Sequence, residues 1–240
     1  MSHQKLVPRL PSVDQKQQRL DVCLDLKENA ADDPSFLSNV ITCDVTWVYA
    51  YDPETRTQSS QWKSPGSPRP KKARQVRSNI KSLLICFFDQ KGIVHKEFVP
   101  PGQTVNAAFY VEVLKRLREN ARRKRPDQWR NNTRLLQHDN APAHAALLTR
   151  LFLTDNMTAM PHLPYSPDLA PSDFILFSKL KMKLKGRNFQ SEEIQAESQA
   201  VLNTLRENDF QECFKTCSAA GIFVKPQKGT TLKVMPAPNA

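Results

Sequence analysis

The sequence predicts a mixed α/β sheet with helices packed against it. Three observations carry that prediction. Three runs rich in β-branched and aromatic residues come first, at about 36–52, 80–89 and 92–100, and a tight turn separates the last two. Helical and extended segments then alternate through 106–163, which is how further strands join a sheet through helical crossovers. Apolar residues make up 39% of 240, enough for the core of one large domain with tails.

Each element has its own signal. Segment 1–35 is polar, and within it SVDQKQQRLDVCLDLKENA reads as a helix with Val13, Leu20, Cys23, Leu24 and Leu26 on or near one face. DDPSF ends that helix, and FLSNVITCDVTWVYAYD reads as the first strand. Residues 53–78 form a long loop dense in Pro, Ser, Lys and Arg, and a loop of that length inside a domain is usually functional or disordered. IKSLLICFFD and GIVHKEFVP are the next two strands, with Gln90-Lys91-Gly92 as the hairpin turn. NAAFYVEVLKRLRENARRK follows as an amphipathic helix with Phe109, Val113, Leu114 and Leu117 on one face and a basic end. A strand is expected at Arg134 to His138, a helix at about Ala143 to Leu153, and an extended piece at Met157 to Leu163. A Pro-rich turn then leads to a helix opening near Ser172, and a final helix starts near Glu192. Ribonuclease-H-like nucleases have this β-β-β-α-β-α-β-α-α order, and other α/β folds come close.

Charge narrows the class of partner. Lys and Arg number 35 against 24 Asp and Glu, a net charge of +11, and such an excess suits a polyanion. The five cysteines are odd in number and scattered, and Cys213 and Cys217 have no matching pair nearby. That argues against a disulfide framework or a zinc site and for free thiols in a reducing compartment. The N-terminus lacks the apolar core of a signal peptide, and no run approaches a membrane span. An intracellular protein without membrane contact is expected.

Three acids fall at places where a plain structural role is not the whole story. Asp44 lies mid-strand in VITCDVTWV, where alternation puts Thr42, Asp44 and Thr46 on one face and Cys43, Val45 and Trp47 on the other. An Asp there is costly unless it is paired or binds a cation, or the strand lies at an exposed edge. Asp139 ends the fourth strand; its plainer role is helix capping, since Pro142 suits a first turn. Asp173, with Ser172, can cap the helix carrying Phe174, Phe177 and Leu180, and Asp168 in SPDL looks like a turn residue. Taken together, Asp44, Asp139 and Asp173 can converge at one edge of the sheet. Such carboxylates repel one another unless a cation sits among them, and hard oxygen ligands favour Mg²⁺ or Mn²⁺. Two such ions can activate an attacking oxygen and stabilise the leaving oxygen of a phosphodiester.

HDNAPAH and PHLPYSPDLAPSDF resemble the signature blocks of mariner-family transposases, and YDPETRTQSSQWKSPGSPRPKK and KEFVPPGQTVNAAFY resemble that family too. The likeness covers about Leu6 to Cys217. It implies a ribonuclease-H-like catalytic domain over 36–217, with Asp44, Asp139 and Asp173 as the catalytic and metal-binding acids, and Mg²⁺ or Mn²⁺ as cofactor. It further implies a DNA endonuclease and strand transferase that works as a homodimer in the nucleus, without a small-molecule substrate. Within 53–78, the stretch from Trp62 to Arg77 resembles the clamp loop that reaches a partner subunit, and Leu6-Val7-Pro8 resembles a linker motif whose usual Trp is Leu6 here. The chain departs from the pattern in four places. The family's two N-terminal helix-turn-helix units are not seen, and its Gly-Asp-Glu motif is Cys43-Asp44-Val45. Asp139 and Asp173 are separated by 33 residues, one fewer than the family's usual spacer. Residues 218–240 do not resemble the family's C-terminal helix and read as an unrelated, disordered tail.

Two basic clusters are candidates for gripping phosphates: Lys71, Lys72, Arg74 and Arg77 in the loop, and Arg122, Arg123 and Lys124 at the end of the long helix. The first also resembles a nuclear-localisation peptide; both have a plainer explanation as solvated surface. Trp62 and Trp129 can stack on bases, though core or interface packing is the expectation for both; His138 and His144 flank Asp139, which leaves open a zinc role or positioning of the carboxylate, with a plain surface role expected for His144. Two functions stay open: an impaired metal-dependent DNA-cleaving domain, or a non-catalytic DNA-binding or dimerising relic of a mariner-type transposon.

Overall fold

A computed structural model describes residues 12–55, 57–64, 66–68, 75–160 and 176–222. Helix α1 (Val13–Asp32) and a 3-10 turn (Phe36–Asn39) lead into strands β1 (Val40–Tyr49), β2 (Lys81–Asp89) and β3 (Gly92–Val99). Then come α2 (Ala107–Lys124), α3 (Pro126–Arg130), β4 (Leu135–Gln137), α4 (Pro142–Ala145), α5 (Leu147–Asn156) and β5 (Thr158–Ala159), followed by α6 (Phe177–Leu184), α7 (Glu193–Asn203) and α8 (Glu207–Ile222). No described helix is long and apolar enough to cross a membrane.

The strands form one sheet in the order β3-β2-β1-β4-β5. The first three make an antiparallel meander, with β1 set against β2 from Thr42↔Phe88 to Tyr49↔Lys81. The turn at 90–91 lies between paired Asp89 and Gly92, and Gly92 has φ +126°, a conformation that favours glycine. β4 and β5 are parallel to β1 and come after helical crossovers, as parallel neighbours require.

Alternation along the strands splits the core into two layers. Val40, Val48, Leu84, Cys86 and Phe88 face α6, α7 and α8, where Leu176, Phe177, Leu180, Ile194, Leu202, Phe210 and Phe214 meet them. Ile41, Cys43, Ile85 and Phe87 face the other way, against Tyr110, Val113, Leu114 and Leu117 of α2 and Leu153 of α5. Each fully buried Leu, Ile or Phe contributes about 1.5–3 kcal/mol. A bulge between Phe87 and Phe88 adds Val94 to β3 and turns it into the α2 layer beside His95.

Two ionic groups pin this scaffold. Arg125, just past α2, donates from Nε to Asp89 Oδ2 at 2.5 Å and from Nη2 to Asp89 Oδ1 at 2.8 Å. Asp89 is fully buried, and its Oδ1 also accepts the Lys91 amide at 2.9 Å. On β3, Glu97 receives Arg116 through both Nε and Nη2 and meets His95 Nε2 at 3.0 Å. Burial pushes the Glu97 carboxyl up, but His95 and Arg116 outweigh it and hold it down at about 2.

The structure departs from the sequence expectations in several places. FLSN is a 3-10 turn rather than the start of β1, because Asp33 Oδ1 accepts the Ser35 amide (2.8 Å) and Ser38 bonds back to the Ser35 carbonyl; such local bonds compete with a strand ladder. On α1, Leu20 and Leu26 are half-buried, but Val13 and Leu24 stand 80% and 47% exposed. Contacts with α8 and the 3-10 turn leave that side of the helix open. The expected helix after β4 is two helices, because Ala146 takes an extended conformation (φ −61°, ψ 147°) between α4 and α5. The last helix is also two, broken after Asn203; Arg206 N–H then bonds Asp209 Oδ2 at 2.8 Å to open α8. Trp62 is fully exposed, not packed.

Candidate functional site

Strand β1 brings Asp44 into the middle of the sheet. Thr42 and Thr46, two residues either side on the same face, are 1% and 5% exposed, while Trp47 on the opposite face is 41% exposed. Asp44 itself is half-buried, and its Oδ1 accepts the Val45 amide at 2.6 Å.

Asp139 approaches from the neighbouring strand. The parallel ladder runs Val40↔Leu135, Ile41↔Leu136, Thr42↔Gln137. The ladder ends two residues before Asp44 on β1, and Asp139 follows two residues after the end of β4. Cys43 reports both carboxylates: its thiol is pushed well up by burial first, with the charges of Asp44 and Asp139 adding to it. Asp139 is not a helix cap. The N-cap of α4 is Ala141, which offers no side-chain bond, and Pro142 takes the first turn as expected. Asp139 Oδ1 instead accepts the Ala141 amide at 3.2 Å and lies 2.5 Å from His144 Nδ1.

His144 is buried, not at the surface as the sequence led us to expect. Its ring lies 4.0 Å from that of Tyr110 and 5.0 Å from that of His138. Tyr110 is fully buried, and its hydroxyl donates to Cys43 Sγ at 3.9 Å. Burial raises the phenol well above its ordinary value, with Cys43 and Asp139 reinforcing the shift. On the other side of Asp44 the register leads to Cys86 on β2 and then Lys96 on β3. Burial pushes the Cys86 thiol to about 12, against the pull of Lys96 and with the push of Asp44, so it stays protonated. Lys96 Nζ donates to Asn203 Oδ1 of α7 at 3.0 Å.

The other expected site residues lie apart or outside the description. Asp173, Lys71, Lys72 and Arg74 are outside the described residues. Description resumes at Leu176, and the α6 residues Phe177, Leu180 and Leu184 pack on the face of the sheet that carries Asp44. Arg77 donates to Asp52 Oδ1 at 2.8 Å and lies over the Tyr49 ring at 4.5 Å. Arg122, Arg123 and Lys124 end α2, twelve to fourteen residues from Tyr110, or about 20 Å along the helix. Lys124 Nζ donates to the Ile93 carbonyl at 3.0 Å, and Arg123 to Asn120 Oδ1 at 2.9 Å. Among the described residues no group of three or more His, Cys, Asp or Glu is placed to hold a metal ion. The described acids provide a pair, Asp44 and Asp139, whose hard carboxylate oxygens fit a divalent ion such as Mg²⁺ or Mn²⁺.

The strand order and the crossover helices define a ribonuclease-H-like mixed sheet flanked by helices. The family described as "Transposase (partial DDE domain)" matches residues 52–131. The Mariner Mos1 transposase of Drosophila mauritiana is 38% identical over 161 residues, which is 66% of this chain and 46% of that protein. The histone-lysine N-methyltransferase SETMAR of Homo sapiens is 28% identical over 190 residues, 79% of this chain and 27% of that protein. The Mos1 mariner paired end complex with Mn superposes with a TM-score of 0.81 at 29% identity, covering 93% of this chain and 65% of that one. The catalytic domain of Mos1 superposes at 0.72 and 27% identity, covering 91% and 95%. Over its catalytic domain this chain is similar to the mariner Mos1 transposase in both sequence and fold. It spans less than half the length of the curated relatives it matches.

Proposed function

We propose that this chain cleaves phosphodiester bonds in DNA with a divalent metal, with weaker catalysis than an intact family motif supports, and that it acts in the nucleus on DNA, as a homodimer. The observation that supports this reading is the parallel pairing of β1 with β4, the strands that carry and lead into Asp44 and Asp139, with the charges of both acids acting on the Cys43 thiol. Asp44, Asp139 and Asp173 would hold Mg²⁺ or Mn²⁺. When bound, the ion supplies Lewis-acid stabilisation of the attacking and leaving oxygens. Asp44, fixed within β1, and Asp139, on the loop after β4, orient their carboxylates toward the scissile phosphate. Lys71, Lys72, Arg74, Arg77, Arg122, Arg123 and Lys124 bind the DNA backbone. Structures of the Mos1 relative in a paired end complex with Mn or Mg, and in a strand transfer complex, support the metal, the DNA partner and the dimer. On this reading residues 1–35 are a linker and helical segment, 36–217 the catalytic domain, 53–78 the loop that clasps the partner subunit, and 218–240 a tail outside it.

The test is nicking of supercoiled DNA by the purified chain in Mn²⁺, beside Asp139→Asn. Mn²⁺-dependent nicking that disappears in the variant is expected. The second reading, a DNA-binding relic, is favoured by Val45 in place of the family's acid after Asp44 and by the 33-residue spacer. DNA binding at low salt without any nicking would establish that reading instead.

A further inference from the structure

We propose that His144 is a positioning residue for Asp139. Its Nδ1–H holds one carboxylate oxygen in place, so that the acid meets a divalent ion already oriented. This rests on the reading above, in which Asp139 is a metal ligand.

The two partners are unlike. The His144 side chain is 4% exposed and that of Asp139 is 53% exposed. Asp139 stands on a loop two residues past a strand of three, where a short side chain has several rotamers open to it. A donor fixed inside the protein removes that choice. An ionised carboxylate only accepts, so His144 Nδ1 carries the proton of the 2.5 Å contact. The Ala141 amide donates to the same oxygen at 3.2 Å. Two donors converging on Oδ1 turn that oxygen inward.

The donor is itself held. The His144 amide bonds the Ala141 carbonyl at 2.9 Å, and Thr149 Oγ1 bonds the Ala143 carbonyl at 2.7 Å, which ties α4 to the start of α5. The break at Ala146 lets the short α4 aim its imidazole at Tyr110 while α5 lies along α2. Tyr110 is the common reference. One side of its ring carries His144, and its hydroxyl reaches Cys43, the residue before Asp44. Both acids are thus set from one buried aromatic ring, through Cys43 for Asp44 and through His144 for Asp139. Hydrogen bonds to metal-binding groups from outside the ligand shell fix ligand orientation, and losing one typically costs about 10–100-fold in metal affinity.

A hydrogen bond that serves only to hold the turn would change stability without changing the metal. The test is therefore Mn²⁺ binding by titration calorimetry, with melting temperatures, on the unaltered chain, Asp139→Asn, His144→Phe and His144→Asn. His144→Phe keeps a ring against Tyr110 and loses the donor; His144→Asn loses the ring and keeps a donor near the position of Nδ1. We expect Mn²⁺ affinity to fall about 10–100-fold in His144→Phe and to stay close to the unaltered value in His144→Asn, with both folded. If His144→Phe does not melt cooperatively, His144→Leu against His144→Asn makes the same comparison between side chains of equal shape. Unchanged affinity in the donor-less variant, or an equal fall in His144→Asn, overturns the positioning role alone. No Mn²⁺ binding by the unaltered chain, or undiminished binding by Asp139→Asn, overturns the metal reading and the positioning role with it.

Discussion

Asp89→Ala removes the carboxylate that joins the β2–β3 turn to the end of α2. Three bonds go at once: Arg125 Nε at 2.5 Å, Arg125 Nη2 at 2.8 Å and the Lys91 amide at 2.9 Å. The guanidinium left behind is only 14% exposed, so water cannot replace the lost partner in full. Stranding one member of a buried ion pair costs about 3–5 kcal/mol, a large part of the roughly 5–15 kcal/mol that holds a domain of this kind together. With a urea dependence of about 2 kcal/mol per molar, the unfolding midpoint falls by about 2 M. Equilibrium urea unfolding, followed by circular dichroism, measures it. Arg125→Ala is expected to cost a similar amount, and the double variant less than the sum, because it leaves no stranded charge. High salt should not restore the single variants, since a buried pair is little screened. A loss below about 1 kcal/mol for Asp89→Ala, or strict additivity in the cycle, would refute the argument that burial makes this pair costly to break.

Glu97 gives a pH-dependent counterpart. Its folded value of about 2 lies below the ordinary 4.5, so its contribution is complete above about 4.5 and is lost as pH falls toward 2. Glu97→Gln should lower stability at neutral pH and flatten that acid limb; superimposable melting temperature profiles for the two proteins would contradict it. For the basic end of α2, Arg122→Ala with Arg123→Ala should weaken DNA binding and reduce the slope of log affinity against log salt by about 2. An unchanged slope removes both residues from the DNA surface.

The meander was legible because each of its strands is a run of β-branched and aromatic residues, and because Gly92 marks the turn. Helix α2 was legible from its apolar stripe, yet Tyr110 went unnamed although it stands three, four and seven residues before Val113, Leu114 and Leu117. Its place on that stripe was the available signal, and it is the residue whose ring meets His144 and whose hydroxyl reaches Cys43. Helix α3 had a signal too, Pro126 followed by Asp127 in its first turn. The break at Ala146 had none, since AHAALL contains neither Pro nor Gly. It follows from tertiary packing, and with it went any view of His144 as buried. The placement of Asp44 on β1 and of Asp139 just past the adjoining β4 was half legible. Both acids stood out on their strands, but which strand adjoins β1 is decided by the crossover and not by either segment.

The three-residue pairing between β1 and β4 has a consequence for the order in which the molecule forms. Asp44 pairs with Cys86, forty-two residues on, while Asp139 is ninety-five residues away. Joining them closes a long loop before any contact rewards it, and pairings of that kind form slowly. By that argument the meander is expected to form first with one acid on it, and the second to arrive when β4 docks. On the proposed reading, an ion held by the two acids would recognise only the finished sheet. It would therefore stabilise the native state by mass action and lengthen its lifetime, without hastening the step that creates its own site.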